Sequence, residues 1–212
     1  MKYKAVIFDL DGLLIDSEPL WEKIGEEFLS KRGLVDTLPI TETRGRGVRE
    51  IIELWKEKIG LEGDRDELMQ EYRELFYAKA KDQLELMIGA KDTAIKLYDS
   101  GITLAVASAG HQRNKIKEIL EDKGLIKLFK VIVSSDDVKV GKPAPDTYLE
   151  TAKQLTVDTE NCLALEDSIN GVLSGVRAGM DVYGINHDTE FMAELKRAGA
   201  SKVYTSLLEI NL

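Results

Sequence analysis

One cysteine, Cys162, stands among 212 residues, so no intrachain disulfide can form and a reducing setting is expected. It lies in the apolar run "NCLALE" and reads as a buried core residue rather than a nucleophile. Long apolar runs are missing too. None approaches the ~20 residues that cross a bilayer. The chain enters directly on "YKAVIF" rather than on the apolar region of a signal peptide, so a cytoplasmic location without a membrane partner is expected. Cations are scarce: 29 Lys and Arg stand against 38 Asp and Glu, a formal net charge of −9. Nonspecific nucleic-acid binding rests on neutralising phosphates, so no nucleic-acid partner is expected. An anionic substrate would need a local cation or a metal. No internal repeat or low-complexity segment is present.

What is there alternates. From about residue 84 onward, "ITLAVAS" (102–108), "KVIVSS" (130–135), "CLALED" (162–167) and "DVYGI" (181–185) read as short buried strands. Helical patterns fall between and around them at 90–99, 111–122, 145–155 and 168–178. Strands alternating with helices predict right-handed βαβ units and a doubly wound, Rossmann-like parallel sheet, with residues 4–9 as its first strand. Residues 17–83 break the rhythm. Ser17 is placed as an N-cap with Pro19 in the first turn, and Leu20, Ile24 and Phe28 follow at helical spacing. "VREIIELWKEKI" and "DELMQEYRELFYAKAKDQL" are amphipathic as well. The expected organisation is a core of residues 1–15 and 84–212 with an inserted helical domain over 16–83. Trp21, Trp55, Tyr72, Phe76 and Tyr77 are expected to form the core of that insert or its face toward the sheet, with substrate contact as the alternative.

Ligands of open parallel sheets bind beyond the carboxyl ends of the strands. Asp9 and Asp11 end the first strand, where period-two alternation would turn both carboxylates to one face. Ser108 ends "ITLAVAS", Lys142 follows "KVIVSS" in "VGKPAPD", and Glu166 and Asp167 end "CLALED". Each has a plain alternative: a turn at Asp11-Gly12, a helix cap at Ser108 or Asp167-Ser168, a solvated lysine at Lys142. In this order, as a set, they fit phosphoryl transfer. Asp9 and Asp167 can hold Mg²⁺, which takes oxygen ligands. Asp9 can attack phosphorus, and Asp11 can protonate the leaving oxygen and later deprotonate water. Ser108 and the N–H of Ala109, placed at a helix start, can bind phosphoryl oxygens. Lys142 adds positive charge. The demand is large, up to ~10²¹-fold for phosphate monoesters.

"DLDGLLID" resembles the first motif of the haloacid dehalogenase superfamily. "VASAG", "GKPAPD" and "LEDSINGVLSGVRAGM" are similar to the second, third and fourth, in order over essentially the whole chain. The insert resembles the superfamily's helical cap. Within it, "DGLLIDSEPLW" is most similar to β-phosphoglucomutase-like sugar phosphatases acting on hexose and hexitol phosphates, 2-deoxyglucose 6-phosphate included. The resemblance implies Asp9 as nucleophile and metal ligand, and Asp11 as acid/base with its backbone carbonyl on the metal. Asp167 would be the third protein ligand of one Mg²⁺, with Glu166 supporting it from behind. Substrate and phosphate contacts would come from Asp9, Leu10, Asp11, Ser108, Ala109 and Lys142, with Glu18 and Arg46 from the cap. Asp16 would organise the hinge into the cap.

Two departures bear on the reaction. Where the mutases carry a cap histidine coupled to the acid/base, this chain has Trp21, which favours hydrolysis. Where they carry a phosphate-gripping arginine, this chain has Arg44, Arg46 and Arg49 within "TRGRGVRE", in an ambiguous register. The expectation is therefore a Mg²⁺-dependent phosphatase of small phosphorylated sugars or sugar alcohols, monomeric, with β-phosphoglucomutase as the alternative. Dehalogenation is set aside because Asp11 is present. Phosphonate hydrolysis would call on a cap lysine such as Lys56 or Lys58, which a solvated face explains as well.

Overall fold

The computed structural model describes residues 2–34, 40–43, 45–80 and 83–212. Arg44, one of the three cap arginines, lies outside them. The chain opens with β1 (Ala5–Phe8) and a short β2 (Ile15–Asp16). It then forms α1 (Glu18–Ser30), α2 (Val48–Ile59) and α3 (Arg65–Ala80) before returning in β3 (Glu85–Leu86). From there strands and helices alternate: α4 (Ala90–Asp99), β4 (Thr103–Ser108), α5 (Arg113–Asp122), β5 (Phe129–Ser134), α6 (Asp146–Leu155), β6 (Cys162–Glu166), α7 (Ile169–Arg177), β7 (Asp181–Ile185), α8 (Thr189–Arg197) and β8 (Lys202–Tyr204).

Six strands form one parallel sheet in the order β5-β4-β1-β6-β7-β8. The predicted α/β class and doubly wound sheet are therefore present. Alternation within β1 divides the core in two. Val6 and Phe8 join a buried cluster with Ala94 and Leu97 of α4 and Ile116 and Leu120 of α5. Ala5 and Ile7 face a second cluster with Tyr148 of α6, Val172 of α7 and Leu195 of α8. Side chains of neighbouring residues point to opposite faces of a strand, and here both faces are roofed by helices. Each large apolar side chain so buried stabilises the fold by about 1.5–3 kcal/mol. Cys162 belongs to the second cluster and is fully buried, as expected.

Helices α1–α3 pack on one another, and their apolar faces merge with the first cluster. Trp21 stacks on Phe76 with ring centroids 3.8 Å apart, and Phe28, Trp55 and Tyr72 pack edge and face around them. The antiparallel pair β2–β3 closes the base of this excursion, Asp16 opposite Glu85. That pair, α8 and β8 did not stand out in the sequence. Two-residue strands carry no periodicity to read, and α8 and β8 are short and mostly exposed. Among the described residues, no helix is long and apolar enough to cross a membrane.

Candidate active site

β1 lies between β4 and β6, so the carboxyl ends of three strands meet. Asp9 follows β1 and extends its pairing, its N–H donating to Leu165 O at 3.0 Å. Ser108 closes β4 and Glu166 closes β6, with Asp167 next. Lys142 arrives from the β5–α6 connection. Its Nζ donates to Asp9 Oδ1 at 2.6 Å, to Glu166 Oε1 at 2.6 Å and to Ala107 O at 2.9 Å. The lysine is 1% exposed and Glu166 fully buried. Burial alone would favour the neutral amine, but the charges of Asp9 and Glu166 prevail and hold Lys142 above the usual lysine range.

The acids feel the opposite pressure. Burial pushes Asp9 up to about 8 against the pull of Lys142, with Glu166 and Asp11 adding repulsion. Asp167 rises well above the usual carboxylate range, through burial and the charges of Asp9 and Glu166. Asp9, Glu166 and Asp167 can each bring one oxygen within 4.8 Å of the others. A crowded, desolvated oxygen set of this kind fits a hard divalent cation, which would offset the repulsion. Glu166 is already engaged by Lys142 and by Tyr148, whose hydroxyl donates to Oε1 at 2.6 Å. That leaves Asp9 and Asp167 as the better placed ligands. Gly12 keeps them accessible: its φ is +72°, and a Cβ there would lie 2.2 Å from Asp167 Oδ2.

Asp11 is arranged differently from the strand-based expectation. β1 ends at Phe8, and the chain folds back so that the N–H groups of Leu14 and Ile15 both donate to Leu10 O. Asp11 therefore does not share a strand face with Asp9. Its Oδ1 accepts from Ser17 Oγ at 2.5 Å, His111 Nε2 at 2.9 Å and Trp21 Nε1 at 3.2 Å. Burial would raise Asp11, but the His111 charge and these hydrogen bonds outweigh it and bring the group down to about 2. Ser17 does stand at the N-cap of α1, yet its hydroxyl serves Asp11 rather than the helix backbone. Its partner lies outside the local pattern from which caps are read.

Ser108 Oγ lies 3.5 Å from Asp11 Oδ2 and is buried. Ala109 is not at a helix start as expected. α5 begins four residues on, at Arg113, after a bend over 109–111 and an extended N-cap at Gln112, and the carbonyl of His111 accepts from Ser134 Oγ. Leu10 buries its side chain in the first core cluster, leaving only its backbone near the site. A cavity of about 40 Å³ separates sheet and insert, lined among others by Asp9, Glu18, Trp21, Arg46, Ala109 and Lys142. Arg49 points elsewhere, its Nη1 donating to Lys139 O at 3.4 Å. Two residues near Asp9 and Asp11 were not singled out from sequence: His111, three positions after Ser108, and Tyr148 in α6. Neither sits at a spacing that local patterns assign.

Residues 6–185 match the family model described as haloacid dehalogenase-like hydrolase. The chain belongs to that family, and it is a phosphatase-type member of it. It is 30% identical over 83% of its length to hexitol phosphatase B of Escherichia coli (strain K12), covering 80% of that protein. With a phosphorylated carbohydrates phosphatase of Thermotoga maritima it shares 32% identity over 93% of its length and 92% of the relative's. A bifunctional riboflavin kinase/FMN phosphatase of Arabidopsis thaliana is 34% identical over 98% of the chain, which spans about half, 54%, of that longer protein. CbbY from Rhodobacter sphaeroides, solved in complex with phosphate, superposes with a TM-score of 0.81 at 27% identity, covering 98% of this chain and 96% of that one. A β-phosphoglucomutase of Clostridium difficile shares the fold alone, at 22% identity and a TM-score of 0.81 over 99% of this chain and 94% of that one.

Proposed function

We propose that this protein is a Mg²⁺-dependent phosphatase of small phosphorylated sugars or sugar alcohols, acting through an aspartyl phosphate, with residues 16–83 as its cap. The observation that carries the reading is the meeting of Lys142, Asp9 and the Asp167 carboxylate, with Asp9 and Lys142 opening onto the cavity that Glu18, Trp21 and Arg46 also line. The relatives named as hexitol and phosphorylated-carbohydrate phosphatases support the substrate class.

Lys142 on Oδ1 fixes the rotation of the Asp9 carboxylate and leaves Oδ2 to attack phosphorus. As the Asp9–phosphorus bond forms, the ester P–O bond breaks and the leaving oxygen takes a proton from Asp11, which binds that proton from solvent before the step because the donors on its Oδ1 otherwise hold it ionised. Asp11 then takes a proton from water as the water attacks phosphorus, and Asp9 is released with inorganic phosphate. Ser108 and the Ala109 N–H hold phosphoryl oxygens. Asp9, Asp167 and the Asp11 backbone carbonyl would hold Mg²⁺, which supplies charge neutralisation between phosphate and nucleophile. About 40 Å³ has room for roughly three waters, so a sugar phosphate enters only when the insert swings away from the sheet.

Release of inorganic phosphate from a panel of sugar, polyol, nucleotide and glycolate phosphates, with Mg²⁺ and with chelator, tests this reading. Mg²⁺-dependent release from hexose or hexitol phosphates, lost in Asp9→Asn, is expected. Turnover persisting in Asp9→Asn would refute it. The mutase alternative keeps one observation, Arg46 at the cavity. Trp21 no longer argues against it, because its indole supplies a donor to Asp11. Conversion of β-glucose 1-phosphate to the 6-phosphate without phosphate release would select the mutase.

A further inference from the structure

His111 is fully buried and takes part in no step above. Its ring lies against Trp21, Phe76 and Tyr77, with centroids 5.4, 5.1 and 5.7 Å away. Nε2 meets Asp11 Oδ1 at 2.9 Å, and Nδ1 meets the Tyr77 hydroxyl at 3.0 Å. A carboxylate can only accept, so Nε2 carries the hydrogen toward Asp11. Nδ1 and the Tyr77 hydroxyl form the second hydrogen bond of the ring. The imidazole thus joins α3 of the insert to the carboxylate that follows β1.

The distribution of donors on Asp11 is uneven. Ser17, Trp21 and His111 all address Oδ1. Oδ2 is left toward Ser108 and Gly110, where a Cβ on residue 110 would come within 2.9 Å of it. A carboxylate held this way cannot rotate, and one defined oxygen is presented.

We infer that His111 is a positioning residue for Asp11, held in turn by Tyr77 of α3, so that Oδ1 stays engaged and Oδ2 is the oxygen that moves the proton. The inference rests on the reading of Asp11 as the acid/base. Two of the three donors to Oδ1, Ser17 and Trp21, belong to the entry of the insert, and His111 is tied to its last helix. His111 touches no reacting atom. Its effect falls on the two proton transfers and not on phosphate binding.

The test compares His111→Asn, His111→Gln and Tyr77→Phe with wild type. The amide nitrogen of glutamine reaches the place of Nε2, whereas that of asparagine reaches only the place of Nδ1. With a hexitol phosphate, His111→Asn should lower kcat by roughly 10- to 100-fold, a part of the 10²–10⁴ that acid–base catalysis supplies, with KM within about threefold of wild type. His111→Gln should recover most of that loss, and Tyr77→Phe should lose only about 3- to 10-fold. p-Nitrophenyl phosphate separates the two chemical steps, since its leaving group needs no proton. His111→Asn should release a burst of phenolate near one equivalent per protein and then turn over slowly. Wild-type kcat in His111→Asn, or equal losses in the Asn and Gln variants, overturns the inference. Loss of the burst would mark general damage to the site and overturn it as well. Failure of wild type to hydrolyse any phosphate ester would instead sink the phosphatase reading.

Discussion

The hydroxyl of Tyr148 donates to Oε1 of Glu166 at 2.6 Å, on the same oxygen that receives Lys142. Both side chains are fully buried. Burial, and then the charges of Glu166 and Asp9, raise the phenol well above its ordinary value, so it stays a donor. Removing it leaves a buried carboxylate one partner short. A hydrogen bond to a charged group is worth about 1.5–3 kcal/mol, and Tyr148→Phe should lose about that much in urea unfolding. An unchanged midpoint would mean that Glu166 finds another donor.

Lys142 faces two acids, so its removal is costlier. Lys142→Met strands Asp9 and Glu166 together in a buried place. Breaking a buried ion pair from one side costs about 3–5 kcal/mol. The variant should unfold at correspondingly lower urea and also release no phosphate. A stable Lys142→Met protein would show that both acids are protonated in the fold.

Stability should depend on pH in a direction that Mg²⁺ reverses. Asp9 is raised from 3.8 to about 8, and Asp167 is raised too. Groups shifted upward contribute stability that is fully present below about pH 4 and is lost as pH climbs toward 8. Cation binding requires the ionised carboxylates. The gain in Tm on adding Mg²⁺ should therefore be small at pH 5 and grow through pH 8. Equal gains at both pH values would contradict the cluster as the cation site.

Gly12 offers a backbone test of the same site. Alanine there meets a positive φ, which costs about 1–2 kcal/mol, and its Cβ would fall on Asp167 Oδ2. Gly12→Ala should weaken the Mg²⁺-induced Tm gain more than it lowers the Tm of the metal-free protein. The reverse pattern would place the cation away from Asp167.

Cys162 is buried between β6 and its neighbours, and burial pushes its thiol up to about 11. A disulfide reagent at pH 8 should leave it unmodified in the native protein and label one thiol per chain in denaturant. Rapid labelling of the native chain would show that β6 opens locally.

The sequence by itself determined the parallel sheet through β1 and β4–β7, the helices between those strands and the convergence of Asp9, Lys142, Glu166 and Asp167 beyond the strand ends. Strand periodicity and the rule that ligands lie beyond strand ends are local facts, and they place residues without knowledge of contacts. Tertiary structure decided what those residues touch. His111 and Ser17 reach Asp11 because a turn at Leu10 and the return of the insert bring them there, and nothing in "SAGH" or "DSEP" encodes that partner. Trp21, read as a loss beside the mutases, proved to be a donor for the same reason. Hydrogen bonds across about 100 residues of chain depend on how layers pack, and packing is a property of the whole fold rather than of any one of its segments.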